Sequence, residues 1–349
     1  MSGETLSERE HTVLEAVIRT YVETAEPAGS RVVARRFQLG ISPATVRNTM
    51  SDLEEKGYLY HPHTSAGRVP TQRAYRFFVD SLIEAPRLSA AERLAIRGEL
   101  AGPETTGVEQ VVRRAAQVLG LITQELGIAI DPQLDSAALD RLELIPLSEG
   151  KVLLVLALRS AGVRTVYVDI PAHVAPAALA SVARVLNERL AGLPLQEIRA
   201  TLPERLRDSL AGDDPHASEL LNVFLQSADE WLRVAPGAGS ELHLGRASVL
   251  ALQPEFASGE RLKELIELTE RRDLLREVLG ERIGPQRLQV TIGQEHGHAH
   301  LASLAVVTSE YRVGALKGVI GVIGPTRMPY ERVIALVEST SLLMTEILE

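Results

Sequence analysis

Apolar residues in the N-terminal part of the chain recur every three to four places, the period of helices that bury one face. Val13, Leu14, Val17, Ile18 and Tyr21 make the first stripe. Ser7 with Glu10 offers a capping box ahead of it, and Pro27 and Gly29 end it. Ser30 is placed to cap a short second helix carrying Val32, Val33 and Phe37, which breaks at Gly40. A third helix begins with Ser42 as hydroxyl N-cap and Pro43 in the first helical position. It carries Val46, Met50 and Leu53 on one face and stops at Gly57. Two helices joined by a turn of about four residues, the second cleanly capped, predict a helix-turn-helix.

After Gly57 the period changes. Tyr58, Leu59 and Tyr60 read as a strand, residues 61–67 (HPHTSAG) as a turn, and Arg68 and Val69 as the returning strand before Pro70. A hairpin directly behind a recognition helix is a wing. Residues 71–84 resume helical spacing with Tyr75, Phe78, Val79 and Leu82, and Pro86 ends the unit. Helices are predicted over 88–102 and 107–126, strands over 142–147, 152–158 and 163–170, and helices again over 175–233 and 259–280. Strands return at 288–292, 301–307 and 316–323, and a last helix runs over 330–348. The predicted fold class is α+β. It comprises an N-terminal winged helix-turn-helix domain (1–85), connecting helices (86–126), an α+β domain (127–171 and 243–349) and a largely helical insertion within it (172–242).

A chain of 349 residues is too long for one ordinary core, which agrees with several domains. There is no cysteine, so disulfides, thiolate metal sites and cysteine nucleophiles drop out together. No run reaches the ~18 apolar residues of a membrane span, and MSGETLSERE lacks the order of a secretory leader. The expectation is a soluble cytoplasmic protein. The net charge of −9 argues against nucleic acid only until its distribution is read. Within residues 31–76, Arg31, Arg35, Arg36, Arg47, Lys56, Arg68, Arg73 and Arg76 face only Asp52, Glu54 and Glu55. The acidic body thus carries one basic segment, and a phosphate backbone would meet that segment first.

Turned by 100° per residue, the third helix points Val46, Met50 and Leu53 inward and Ala44, Arg47, Asn48 and Ser51 outward. Slim residues allow close approach to a major groove, a guanidinium can fork onto guanine, and an amide can pair with adenine. Ser42 and Thr45 at the helix start suit a phosphate. On the wing, His63, Thr64, Ser65 and Arg68 around Gly67 suit backbone or minor-groove contact. The bland alternatives are a solvated helix face and an ordinary hairpin whose hydroxyls satisfy its own turn.

Three other features carry less. His296, His298 and His300 alternate and would share one face of a strand, but they read better as a polar loop before Leu301 than as a zinc site. Gly318, Gly321 and Gly324 lack dinucleotide-binding spacing and read as a packed strand ending in a turn. Trp231 reads as core or interface. No phosphate-binding loop, nucleophile elbow or paired-carboxylate motif stands out, so neither an enzyme nor a cofactor is expected.

The segments EPAGSRVVARRF, ISPATVRNTMSDLEEKGYLYHPHTSAGRVPTQRAYRFFVD and LKGVIGVIGPTRMPYERVIAL resemble the HrcA family of heat-inducible transcription repressors. SPATVRN and PHTSAGR are the most specific stretches, and Ala74 departs from the glycine more usual there. The resemblance implies a dimeric repressor of chaperone operons that binds double-stranded DNA at an inverted-repeat operator called CIRCE. It also implies that the α+β domain is GAF-like, that the 172–242 insertion is a dimerising domain, and that the GroEL chaperonin is a partner. The competing reading is a regulator that senses a metabolite through the GAF-like domain.

Overall fold

The computed structural model describes residues 6–63, 67–81, 88–102, 107–132, 137–148, 150–159, 162–170, 175–210, 215–232, 241–283 and 286–349. Chain contacts divide it into two compact units. The first comprises Met1–Ala129, His243–Glu310 and Ile320–Leu343; the second comprises Ile130–Leu242, Tyr311–Val319 and Met344–Glu349.

In the first unit, α1 (Glu8–Thr24) starts at the expected capping box: Ser7 Oγ accepts from the Glu10 amide, and the Glu10 carboxylate accepts from the Ser7 amide. α2 (Ser30–Arg36) is capped by Gly29 rather than Ser30. The reason lies next door, where two backbone hydrogen bonds hold Ala28 extended against Arg68, so the chain turns into the helix at once after it. α3 (Pro43–Glu55) begins as expected, with Ser42 Oγ accepting from the Thr45 amide. The turn before it runs from Phe37 to Ser42, longer than predicted, with Gln38 and Gly40 at positive φ.

β1 (Leu59–Tyr60) pairs antiparallel with β2 (Val69–Pro70), and the Ala28 bridge adds a third extended segment beside Arg68. Gly67 is required there, because a Cβ at this position would sit 2.4 Å from the Ala28 carbonyl. α4 (Gln72–Ser81) follows directly. Val13, Leu14, Val17, Val33, Val46, Met50, Leu53 and Leu59 form the core beneath these helices. α5 (Ala90–Leu100) and α6 (Val108–Thr123) match the connecting helices, and β3 (Leu126–Ile130), read from sequence as a helix end, comes next.

The second unit departs from expectation. β4 (Leu139–Ser148), β5 (Lys151–Leu158) and β6 (Gly162–Asp169) form their own antiparallel sheet rather than joining the later strands. They pack on α7 (Pro176–Leu190), α8 (Leu195–Leu210), α9 (Pro215–Gln226) and α10 (Ala228–Trp231). Strict alternation on β5 buries Val152, Leu154, Leu156 and Leu158, and the apolar stripes of α7 and α8 supply the surface that covers them. The second unit thus groups the strands of residues 139–169 with the helices of the largely helical stretch read as an insertion. Asn187 satisfies the β4 backbone, accepting from the Leu142 amide at 2.8 Å and donating to the Leu142 carbonyl at 2.7 Å. Trp231 is core: it stacks edge-on against Phe224 and donates to the Phe224 carbonyl at 2.7 Å.

The chain then forms β7 (Leu242–Leu244), α11 (Ser248–Ala251), α12 (Gly259–Glu270) and α13 (Arg272–Gly280), the single expected helix being broken at Arg271 (φ −80°, ψ 60°). β8 (Leu288–Ile292), β9 (Leu304–Val313) and β10 (Leu316–Pro325) complete a five-stranded sheet of order β7-β3-β10-β9-β8, and α14 (Tyr330–Leu348) has the predicted bounds. The whole is α+β. No described helix is long and apolar enough to cross a membrane.

The glycines of β10 are packing residues, as expected. A Cβ on Gly321 would meet the Val307 carbonyl at 2.1 Å, and one on Gly324 would meet Glu125 Oε2 at the same distance. Glu125 is buried, with Gln253 Nε2 donating to it at 3.1 Å, and burial pushes its carboxyl up to about 8. Between the usual 4.5 and that value the unfolded chain releases this proton while the folded protein keeps it, so stability falls as pH rises through this window. Glu125→Gln should remove the dependence. The variant's thermal midpoint is expected to gain on wild type by roughly several degrees between pH 5 and pH 8.5. A constant difference across that range would show Glu125 ionised in the folded protein.

Candidate nucleic-acid interface

α3 presents the face that its apolar stripe dictates. Val46, Met50 and Leu53 are buried, Thr49 with them, while Ser42, Ala44, Arg47 and Asn48 are exposed and Thr45 and Ser51 half-buried. The Ser42 and Thr45 hydroxyls lie 2.9 Å apart at the helix start, so the cap residue and its neighbour form one hydroxyl pair there. Glu10 and Lys56 fasten the other end: Lys56 Nζ donates to Glu10 at 2.7 Å. That bond, helped by the Ser7 amide, holds the Glu10 carboxyl down at about 2.

On the hairpin, His63 is exposed, and Thr64 and Ser65 lie outside the described residues. Arg68 is not where the sequence reading put it. It is only 9% exposed, and its Nη2 pairs with Glu54 Oε2 at 2.8 Å, with Ser51 Oγ at 3.5 Å. A buried guanidinium needs a counter-charge, and the nearest is the carboxylate that α3 turns toward the hairpin. The other oxygen of Glu54 lies 2.8 Å from His61 Nδ1. Sequence reading missed Glu54. Its signal was slight, an acid within an otherwise basic stretch.

The basic residues of this segment divide by partner. Arg36 pairs with Glu23, Lys56 with Glu10 and Arg68 with Glu54. Arg73 donates to the Lys56 carbonyl and lies over the Tyr58 ring, and Arg76 grips Glu295 and the Val290 carbonyl. Arg31, Arg35 and Arg47 are exposed and have no acidic partner among the described residues. The charge count included Arg31 and Arg35 but did not single them out; they place two open cations on α2, next to the free cation of α3.

The N-terminal block is also tied to the later part of its own unit. Arg19 pairs with both oxygens of Glu331, Gln72 bonds the Ala302 carbonyl and the Gln294 amide, and Tyr75 packs on Tyr330. Of the alternating histidines, His296 lies in a 3-10 turn at Gly293–His296, His300 in another at Ala299–Leu301 and His298 between them, in line with the loop reading. Burial holds the His296 ring down at about 4.

A family model described as the HrcA protein C-terminal domain matches residues 109–334. The chain is 37% identical over 341 residues to a protein of Chlorobium phaeobacteroides (strain BS1) named heat-inducible transcription repressor HrcA, covering 95% of each. It is 34% identical over 345 residues to the protein of that name from Geobacter sulfurreducens, covering 99% of this chain and 98% of the other. A crystal structure described as a hypothetical protein superposes with a TM-score of 0.62 at 24% identity over 98% of both chains, a likeness of fold. With this identity running nearly end to end, the chain belongs to the HrcA family of heat-inducible transcription repressors.

Proposed function

We propose that the protein is a transcriptional repressor of heat-shock chaperone genes, which its N-terminal winged helix-turn-helix domain binds at an inverted repeat of the CIRCE type. The observation that carries the reading is the outer face of α3: Ala44, Arg47 and Asn48 exposed, with Arg47 unpaired among the described residues and Arg31 and Arg35 exposed and likewise unpaired on α2. Arg47 would fork onto guanine and Asn48 would pair with adenine. Arg31, Arg35, Ser42 and Thr45 would hold phosphates, and His63 would approach the backbone from the hairpin. Membership of a family of repressors rather than enzymes supports the same reading. Repression follows from occupying promoter DNA against polymerase.

An inverted repeat calls for two copies related by a two-fold axis. The outer face of the β4–β5–β6 sheet supports such a pairing. Ile145, Leu153 and Tyr167 line up across the three strands, Ala157 and Val163 lie in a second row completed by Arg141, and Tyr167 and Val163 are 72% and 66% exposed. Exposed apolar rows of this kind, flanked by an ion pair such as Arg141–Glu143, are a common mark of a protein contact. The five-stranded sheet with its helices fills the role of the GAF-like domain. A GroEL-type chaperonin is the proposed modulator: it would bind apolar surface on incompletely folded repressor, and heat-damaged clients would compete for it.

Arg47→Ala is expected to weaken operator binding by about 10- to 100-fold and to relax discrimination at one position of each half-site. Arg31→Ala and Arg35→Ala should weaken operator and scrambled DNA alike and lower the salt slope by about one each. Arg47→Ala with unchanged base preference would displace α3 as the reading helix. Tyr167→Asp with Val163→Asp should convert a dimer to a monomer by light scattering while each chain remains folded. A dimer that survives both changes would move the contact elsewhere.

A further inference from the structure

We infer that Glu54 is the positioning residue of this interface: one carboxylate on the last turn of α3 holds both legs of the β1–β2 hairpin and so sets where its loop meets DNA. The inference rests on the DNA-binding reading above. Oε1 lies 2.8 Å from Nδ1 of His61, the residue that follows β1, and Oε2 lies 2.8 Å from Nη2 of Arg68, the residue that precedes β2. The base of the hairpin is fixed by its backbone, through the Leu59–Pro70 and Tyr60–Val69 pairs and the Thr71 hydroxyl on the Gly57 and Tyr58 carbonyls. Toward the loop, the described grips on the legs are the Ala28 backbone, the Ser51 hydroxyl and Glu54. Of these, Glu54 reaches both legs.

The charge matters as much as the reach. Arg68 is buried, and its Nε finds no partner, so Glu54 is the one carboxylate that compensates its guanidinium among the described residues. Without that acid the cation would be left uncompensated in the base of the hairpin, and the returning leg would have to swing out to hydrate it. This gives the inference a sign that plain electrostatics does not share. Removing an acid from a DNA-binding face raises its positive charge and by itself tightens binding to any duplex. Loss of a positioning group weakens binding to the correct site and leaves non-specific binding level or stronger.

The test uses the full-length chain and its operator duplex, with hydroxyl-radical footprinting and titration at fixed salt. Glu54→Gln keeps the shape of the side chain but removes the charge that compensates Arg68 and the second carboxylate oxygen facing His61. It is expected to bind the operator about tenfold more weakly and the scrambled duplex no more weakly than wild type. Protection should be lost at the sugars flanking each half-site, where the hairpin lies, and kept where α3 lies. Arg68→Met should give the same split pattern, and the double variant should bind no worse than either single one, as expected of two partners in one interaction. Tighter binding to both duplexes, or an unchanged footprint, would overturn the inference. A uniform loss of all protection with a large fall in thermal midpoint would assign Glu54 a purely structural role, which also overturns it. If Glu54→Gln is unfolded at the assay temperature, Arg68→Met decides by the same split. A wild-type chain with no footprint at all would instead refute DNA binding, and the proposal would fall with it.

Discussion

A helix can aim side chains at a partner only if something fixes its rotation, and in α3 that is the burial of Val46, Met50 and Leu53 against α1 and α2. Each such side chain removed from water contributes about 1.5–3 kcal/mol, so turning α3 about its axis by one residue would expose apolar surface worth several kcal/mol. That cost is what holds Ala44, Arg47 and Asn48 outward. The cap sharpens the register: Ser42 satisfies the Thr45 amide, and Pro43 supplies no amide that would need satisfying. The chemistry of the outer face of α3 is thus a consequence of packing on the opposite side.

Around this helix, acids serve mainly to organise cations. Glu10, Glu54, Glu295 and Glu331 hold Lys56, Arg68, Arg76 and Arg19 respectively, and each pair joins two elements of the same unit. The more exposed of these, Arg76–Glu295 and Arg19–Glu331, are worth little in stability, whereas Glu10 and Arg68 are buried charges that need their partners; together in fixed geometry the four pairs restrict how the elements can shift. What remains unpaired among the described basic residues of the segment is Arg31, Arg35 and Arg47, each exposed, two on α2 and one on α3. An acidic protein can therefore present a small cationic surface without a large cationic excess, and the acidic remainder discourages indiscriminate attachment to nucleic acid.

Much of this was legible in the amino-acid order where the determining interactions are local. The capping box of α1, the Ser42–Pro43 start, the α3 stripe and the bounds of α14 all follow from residues within a turn or two of each other. What was not legible depends on distant partners. β3 and β7 are short and carry no alternation, and they become strands because β10 lies between β3 and the rest of the sheet, with β7 on its far side. That the strands of residues 139–169 form a sheet of their own could not be read from their pattern, because periodicity tells which face is buried and not what buries it. Arg68 was read as a free wing cation because nothing in the hairpin itself announces the carboxylate of Glu54.

The central claim is that a basic face built on α3 reads a specific duplex. The most direct measurement is a fluorescence-anisotropy titration of the intact protein against an inverted repeat from a chaperone promoter and a scrambled copy of it, at one fixed moderate salt concentration and with folded chaperonin present. Binding to the repeat at least about 1,000-fold tighter than to the scrambled copy, at two chains per duplex, is the expected result. Equal affinity for both duplexes would contradict it.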